Sequence, residues 1–432
     1  MIISSEKKIK IFDNTIFVFI CLYFLAQFIR HLNIVKSIGV YTAIPLIIFF
    51  IILCREIALA RFKENFKKNK ILFFIVSFLV ATTLILSISP YDPSHNSIKE
   101  FMRVVKKEYL LFVLLFFWFD GSEKRSKIIF WVLVGSLFYE SIYTIIDSVI
   151  NFDSKMLQKR VKVVYRDYSI CVDALFAFCL VAILFVKKKT WLQVGLMFFL
   201  VVIIILNILT GARASWLAML VVFLLCISFF LIKNKFNIKT ALYIGLFFIF
   251  CGGAFSVAYE TFPHIKYKLT QKNITSGRDL ILKNRLPLIL NSDRALIGLG
   301  YGTDQYEKFI FDNKDKATGN LGPARVETDE NKKVKFIHYL HDEPAFIAYY
   351  YHVGVGVIFF VALVFFMAYK GISEYIKNNN YLLLGISLSA ISFYLIRGLF
   401  EWFGIQTIIA LSALFIVLNY KNEFMRENLN EN

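Results

Sequence analysis

An all-α polytopic membrane protein is the fold class this sequence predicts, on three observations. Hydrophobic residues make up 58% of the chain and charged ones only 19%, whereas soluble domains carry about 45–50% and 25%. The apolar residues gather into about twelve runs of the length that crosses a bilayer. Lys and Arg then fall preferentially in alternate connections between those runs. A mean hydropathy of +0.63 with 47 Phe fits such a bundle. Seven Pro and 20 Gly leave no room for a long disordered linker, and no internal repeat is visible.

The elements follow from run length. Runs lie near 14–31, 36–54 and 71–89, then 102–119, 128–150, 169–186, 191–209, 215–232 and 240–258. After a long polar stretch they resume at 345–369, 381–398 and 402–420. Each approaches the roughly 20 apolar residues a spanning helix needs. The fourth has the shortest apolar stretch, Tyr109–Phe119, and depends on the basic segment before it. Met1 to Asp13 is polar and basic and shows no small-residue cleavage site, so the first run reads as a retained span. Three regions result: residues 1–258 with spans one to nine, a loop of about 85 residues at 259–343, and 344–432 with the last three spans and a tail.

A net charge of +18 would point to nucleic acid on a soluble chain, but here it concerns membrane sidedness. With the N-terminus cytoplasmic, the inside connections carry Arg55, Arg61, Lys63, Lys67, Lys68 and Lys70, then Lys124, Arg125 and Lys127. Later ones carry Lys187 to Lys189, Lys233, Lys235 and Lys239, and Lys370 and Lys377. All are basic, as cytoplasmic loops are. An even count returns Lys421 and Arg426 to the same side and puts the long loop outside. Two outside segments are basic as well: Pro90–Lys107, with Lys99, Arg103, Lys106 and Lys107, and Asn151–Ser169, with Lys155, Lys159, Arg160, Lys162 and Arg166. Either they face an anionic ligand at the outer interface, such as lipid phosphate, or they are solvated amphipathic helices, or the span count differs by two.

The six cysteines, Cys21, Cys54, Cys171, Cys179, Cys226 and Cys251, lie in or beside apolar runs. Without a CxxC or Cys/His cluster they indicate neither zinc nor a disulfide framework.

Polar chemistry concentrates at a few outer positions. Thr210-Gly211-Ala212-Arg213-Ala214-Ser215-Trp216 joins spans seven and eight with no spare loop, so Arg213 sits at the edge of the hydrocarbon. A charge there is costly and reads as functional by default, and its planar fork suits phosphate oxygens. The bland alternative is an arginine snorkelling to headgroups. Arg278 follows Ser276-Gly277 and opens an amphipathic helix, where a cation opposes the helix dipole; an ordinary surface arginine is the alternative. The turn Gly298-Leu299-Gly300-Tyr301-Gly302 has neither a preceding strand nor a following Gly-Lys-Ser/Thr, so it is no nucleotide loop and reads as a turn packing the loop onto the bundle. The loop ends in His338-Tyr339-Leu340-His341-Asp342-Glu343. His341 suits acid–base work near neutrality, and His338 lies three residues earlier; a hydrogen-bonded interfacial histidine is the alternative. Neither has a metal-like partner set. His352 reads as a packing or hydrogen-bonding residue in a span. Arg397 and Glu401, four apart, read as a pair, and Tyr349 to Tyr351 as an interfacial aromatic belt.

Taken together, these positions resemble the bacterial O-antigen ligase family, which shares a superfamily with the O-antigen polymerases. The likeness spans nearly the whole chain: about twelve spans in a GT-C-like arrangement, a large loop before the last three, Arg213-Ala214 after span seven, Gly277-Arg278 at a loop helix, and His341-Asp342-Glu343 with Gly354 and Gly356 downstream. Two features depart from the pattern. Asp342 stands where the family has a small amide or Ser, and the glycines lie a residue or two further on, which leaves the base open between His338 and His341.

The resemblance implies inverting transfer of a glycan from undecaprenyl pyrophosphate to a sugar hydroxyl of lipid A–core. It implies no metal or other cofactor and no nucleotide sugar, in a bacterial inner membrane with both termini cytoplasmic and the active site periplasmic. Arg213 and Arg278 would grip the diphosphate, and His341 would deprotonate the acceptor. Arg160, Arg166, His338, Lys107 and Arg397 are the substrate-binding candidates. Partners would be the lipid-linked donor, the lipid A–core acceptor and membrane lipids, with no nucleic acid. A polymerase extending a lipid-linked glycan would use the same donor. A flippase or other transporter would instead show repeated halves and mid-membrane charges.

Overall fold

A computed structural model describes residues 2–153, 162–186, 189–233, 238–270, 278–322, 324–328, 334–339 and 343–420. The chain is a helical bundle bearing one small polar subdomain. Helices α1 (Ile2–Ala26), α2 (Asn33–Leu53), α3 (Arg55–Leu86), α4 (Ser97–Trp118) and α5 (Glu123–Ile150) come first. They are followed by α6 (Arg166–Leu184), α7 (Thr190–Leu209), α8 (Arg213–Lys233) and α9 (Ile238–Thr261). Among the described residues, ten helices are long and apolar enough to cross a membrane. The chain therefore has the architecture of a multi-pass membrane protein. Two further expected spans are helical but miss those limits. The fourth, α4, carries Lys99, Glu100, Arg103, Lys106, Lys107 and Glu108 in its first half. The last, α16 (Ile405–Leu418), has 14 residues.

Polar contacts sort the helix ends into two sets. At one end Asp13 accepts from Arg61 (3.3 Å) and Arg125 (2.7 Å). There Asn65 also donates to the Phe119 carbonyl at the close of α4 (2.8 Å), and Lys68 to the Tyr420 carbonyl after α16 (2.6 Å). The beginning of the chain and the end of α16 therefore share a face. Basic residues 55–68, expected in a connection, form the first part of α3, about four helical turns, set off from the rest by a bend at Asn69 (φ −122°, ψ 24°). Their anchors to α1, α4 and the tail of α16 hold them there.

The opposite end carries the long loop. Its elements are α10 (Pro263–Thr270), α11 (Arg278–Leu290), α12 (Thr303–Asp312) and an antiparallel hairpin of β1 (Ala324–Thr328) and β2 (Val334–Tyr339). A core separate from that of the bundle, including Ile289, Leu299, Tyr306, Phe309 and Tyr351, holds it together. Arg285 is fully buried in it, ion-paired with Glu343 at 3.2 Å and bonded to Tyr306 and the Leu321 carbonyl. The glycine turn docks this unit. Leu299 and Gly300 donate to the Tyr351 and His352 carbonyls (2.7 and 3.1 Å), and Tyr91 donates to Leu299 (2.8 Å). Gly298 has φ +77°, and a Cβ there would lie 2.6 Å from the Gly354 nitrogen, so only glycine serves.

The chain re-enters the bundle through α13 (Ala345–Val353) and α14 (Val357–Asn378). Tyr349 to Tyr351 do not form the expected interfacial belt. Tyr349 and Tyr351 are fully buried, and Tyr350 donates to the Ala295 carbonyl (2.6 Å). The Tyr349 hydroxyl meets Thr83 of α3 inside the bundle, and the subdomain takes up Tyr350 and Tyr351. His352 lies 3.3 Å from the Gly300 carbonyl through Nδ1. Next, α15 (Tyr381–Ala390) passes into a π-helical stretch, Ile391–Ile396, and a 3₁₀ turn, Arg397–Leu399. Such a widened turn changes the side-chain register and ends the helix on Arg397.

Candidate functional site

The tight connection between α7 and α8 is built by its own residues. Thr210 caps the end of α7, its hydroxyl donating to the Asn207 carbonyl (2.7 Å) and accepting from the Ala212 amide (3.2 Å). Gly211 takes φ +69°, and the His264 ring packs where a Cβ would point, 3.4 Å away. The chain reverses in two residues, and α8 begins on Arg213. Its guanidinium donates to the Lys268 carbonyl on α10 (3.2 Å).

This turn forms one wall of an open cavity of about 250 Å³. The first turn of α6 supplies Arg166, with Lys162 just before it. Lys268 comes from α10, Arg278 is the first residue of α11, and Phe400 and Glu401 follow the 3₁₀ turn. Five cationic side chains, Lys162, Arg166, Arg213, Lys268 and Arg278, thus surround one carboxylate, Glu401.

A buried network supports the floor. Arg397 is wholly buried and ion-paired with Asp173 of α6. Its Nε and Nη2 reach Glu401 at 3.1 and 3.0 Å. Asp173 also accepts from Ser215 (2.7 Å), which contacts Asn207 (3.1 Å). Glu401 in turn holds Arg166. Arg397 therefore does not line the cavity. It aims Glu401, and through it Arg166. Truncating one partner of a buried pair strands the other charge, which costs about 3–5 kcal/mol.

The electrostatics record crowding of like charge. Burial lowers the pKa of Lys268, and Arg213, Lys162, Arg166 and Arg278 lower it further. Lys162 is likewise lowered, by burial and then by Arg166. Burial alone would raise Glu401, but Arg397 and Arg166 outweigh it and hold the carboxyl below its usual range. Among the described lining residues one carboxylate stands against five cations, an arrangement that favours an incoming anion with several acceptor oxygens.

An apolar groove lies between α7 and α9 and extends toward α6 and α8. Two adjoining hollows of about 470 and 120 Å³ share Val201, Ile204 and Phe250. The upper one reaches Leu209 and Phe262, one residue from Thr210 and two from His264. The apolar lining therefore ends, along α7, one residue before the polar lining begins.

Of the residues singled out in the sequence, Arg213, Arg278 and Arg166 come together at the cavity. His341 and Arg160, with Ser276 and Gly277, lie outside the described residues. Glu343, two positions after His341, is fixed by Arg285. His338 is on β2, with Nδ1 2.6 Å from Glu307 and Nε2 3.3 Å from Glu327. The Glu307 hydrogen bond raises its pKa, and it is not among the lining residues. Lys107 lies on α4 with its ammonium 6.0 Å from the Tyr41 ring, also away from the cavity. Sequence reasoning passed over Lys268, Asp173 and His264. Asp173 carried a usable signal, an acid inside an apolar run. Lys268 carried none, because its role depends on where α10 docks. Among the described residues, no group of three His, Cys, Asp or Glu side chains is placed to share a metal ion.

No protein-family model matches the chain, and no curated protein matches it in sequence.

Proposed function

We propose that the chain is a membrane glycosyltransferase of O-antigen ligase type, working on a lipid-linked glycan diphosphate. The observation that carries this reading is the five-cation cavity at the α7–α8 turn, with an apolar groove whose lining ends at Leu209, the residue before Thr210 of that cavity. A polyprenyl diphosphate has those two parts in that order. The hydrocarbon would lie between α7 and α9, and the diphosphate among Arg213, Arg278, Arg166, Lys162 and Lys268.

In the reaction, the acceptor hydroxyl oxygen bonds to the anomeric carbon as the bond from that carbon to the diphosphate oxygen breaks. The hydroxyl proton passes to a base, the role the resemblance gives His341, and the configuration inverts. Charge develops on the departing diphosphate, where preorganised guanidinium groups stabilise it most. Glu401 orients Arg166 and keeps the empty cavity from excess repulsion. We assign α4 and α16 as the remaining two of twelve spans. The end bearing Arg61, Lys68 and Arg125 is taken as cytoplasmic and the cavity as periplasmic, with lipid A–core as acceptor.

Vesicles holding the purified chain, undecaprenyl pyrophosphate-linked glycan and rough lipopolysaccharide test this reading, with chelator present throughout. Transfer onto lipid A–core is expected, and it should fall by about 100-fold or more in Arg213→Ala and Arg278→Ala. Lengthened lipid-linked glycan without transfer would make the chain a polymerase instead. Consumption of neither substrate by the folded wild-type chain would overturn the transferase reading.

A further inference from the structure

A second cavity opens at the same end of the bundle, on the other side of the first turn of α6. It measures about 380 Å³ and is walled by the α1–α2 junction, the last turns of α5 and the start of α6. Its charge is opposite in sign. Glu140, Asp147 and Asp167 line it with Arg30 and His31. Arg30 is taken up by Asp167 and Asp147 Oδ1 accepts from the Asn151 side-chain amide (2.9 Å), which leaves Glu140 and the second oxygen of Asp147 to face the space.

Glu140 is the telling residue. It is only 6% exposed, and its Oε2 accepts no hydrogen bond. The nearest cation-forming group is His31 Nδ1, 3.4 Å away, beyond a well-formed bond. That oxygen is closed off from the space, while the Glu140 side chain as a whole lines it; a buried carboxyl so short of donors is costly, and an N–H reaching its open side would be favoured. Beside it the His31 ring stacks on Tyr143 with centroids 3.8 Å apart, and Tyr143 also lines the cavity. Carboxylates next to an aromatic face suit an ammonium group, which brings three N–H donors and a charge for the ring. The carboxylates are not grouped tightly enough to share a metal ion. The surrounding turns expose Ile34, Ile146 and Val149, an apolar rim.

We propose that this cavity binds the primary ammonium of a ligand held at the membrane interface, with Glu140 and Asp147 accepting its N–H bonds. Two sources carry that chemistry: an aminolipid headgroup and an amino sugar of a glycan. The assignment stands whether or not the chain transfers glycans.

The test uses the purified full-length chain. Nanodiscs of phosphatidylglycerol doped with phosphatidylethanolamine or phosphatidylcholine are analysed for retained lipid by native mass spectrometry. Glucosamine and N-acetylglucosamine are titrated calorimetrically in detergent. At least one amine should be preferred over its blocked counterpart by about tenfold. Preference for the ethanolamine lipid alone assigns a lipid, and preference for glucosamine alone assigns a sugar. Glu140→Gln and Asp147→Asn should each remove the preference; Asp147 sits half-exposed on the helix surface, so its variant remains informative if the buried change impairs folding. No preference in the wild type, or a preference that survives in Asp147→Asn, would overturn the proposal.

Discussion

Arg166 and Asp167 are neighbours in the chain, yet they serve cavities of opposite charge. One lines the space shared by Arg213, Lys268 and Arg278; the other lines the space shared by Glu140 and Asp147. The first turn of α6 is the partition between them. The cationic side is braced: Arg397, Asp173 and Glu401 form a closed network under it. The acidic side is not braced to the same degree, since Glu140 keeps an oxygen without a donor. Charge at one end of the bundle is thus sorted at single-residue resolution, with the two compartments lined by opposite charge.

Breaking the brace should have the largest effect. Arg397→Met leaves Asp173 buried without its cation, at a cost of about 3–5 kcal/mol, read as a lowered thermal unfolding midpoint in detergent. Asp173→Asn should lower it similarly. The change should reach the acidic cavity only through global unfolding. Next come the cavity arginines. Arg213→Ala or Arg278→Ala should reduce glycan transfer by about 100-fold to 1,000-fold, with the unfolding midpoint nearly unchanged. Exchanging the partition residues, Arg166→Asp with Asp167→Arg, reverses local charge on both sides. Retention of undecaprenyl pyrophosphate and of the preferred amine should both drop, each by about tenfold; a loss confined to one would show that the helix turn does not divide them. Lys268→Met should weaken donor retention by less, because its neighbours already oppose its charge.

The smallest effect belongs to His338, distant from both cavities. Its raised pKa comes from Glu307, so the pair stabilises the fold below the ordinary histidine value of about 6.5 and loses that contribution as pH rises through the raised value. The difference in unfolding midpoint between wild type and His338→Ala should therefore shrink as pH rises from about 6.5 through the raised value. Glu401 has the opposite sign. Its depressed pKa means its stabilisation is present above about 4.3 and fades only as pH falls below that.

Span positions were legible because about 20 apolar residues in a row have few other uses. Every expected run is occupied by helix. The two that fall short show why: α4 carries six charged residues in its first half, and α16 begins only after the irregular turn before it. The glycine turn was legible too, since its φ values exclude other residues. The site was legible in part. Arg213 and Arg278 stood out as charges set against local cost, and they do share a cavity. The contributions of Lys268 and Asp173 depend on how α10 and the π-helical stretch pack, and no local pattern encodes that. The tyrosines misled for a related reason. Tyrosine near a span end suits a headgroup layer, but here the bundle buries Tyr349 and the subdomain buries Tyr351.

The central claim is that the cationic cavity and the α7–α9 groove together hold a lipid diphosphate. Retention of undecaprenyl pyrophosphate, undecaprenyl monophosphate and undecaprenol by the purified chain, read by native mass spectrometry, tests it most directly. The account predicts the order diphosphate, monophosphate, alcohol, with the first advantage lost in Arg213→Ala and kept in Asp147→Asn. Equal retention of all three lipids, or a diphosphate preference untouched by Arg213→Ala, would contradict it.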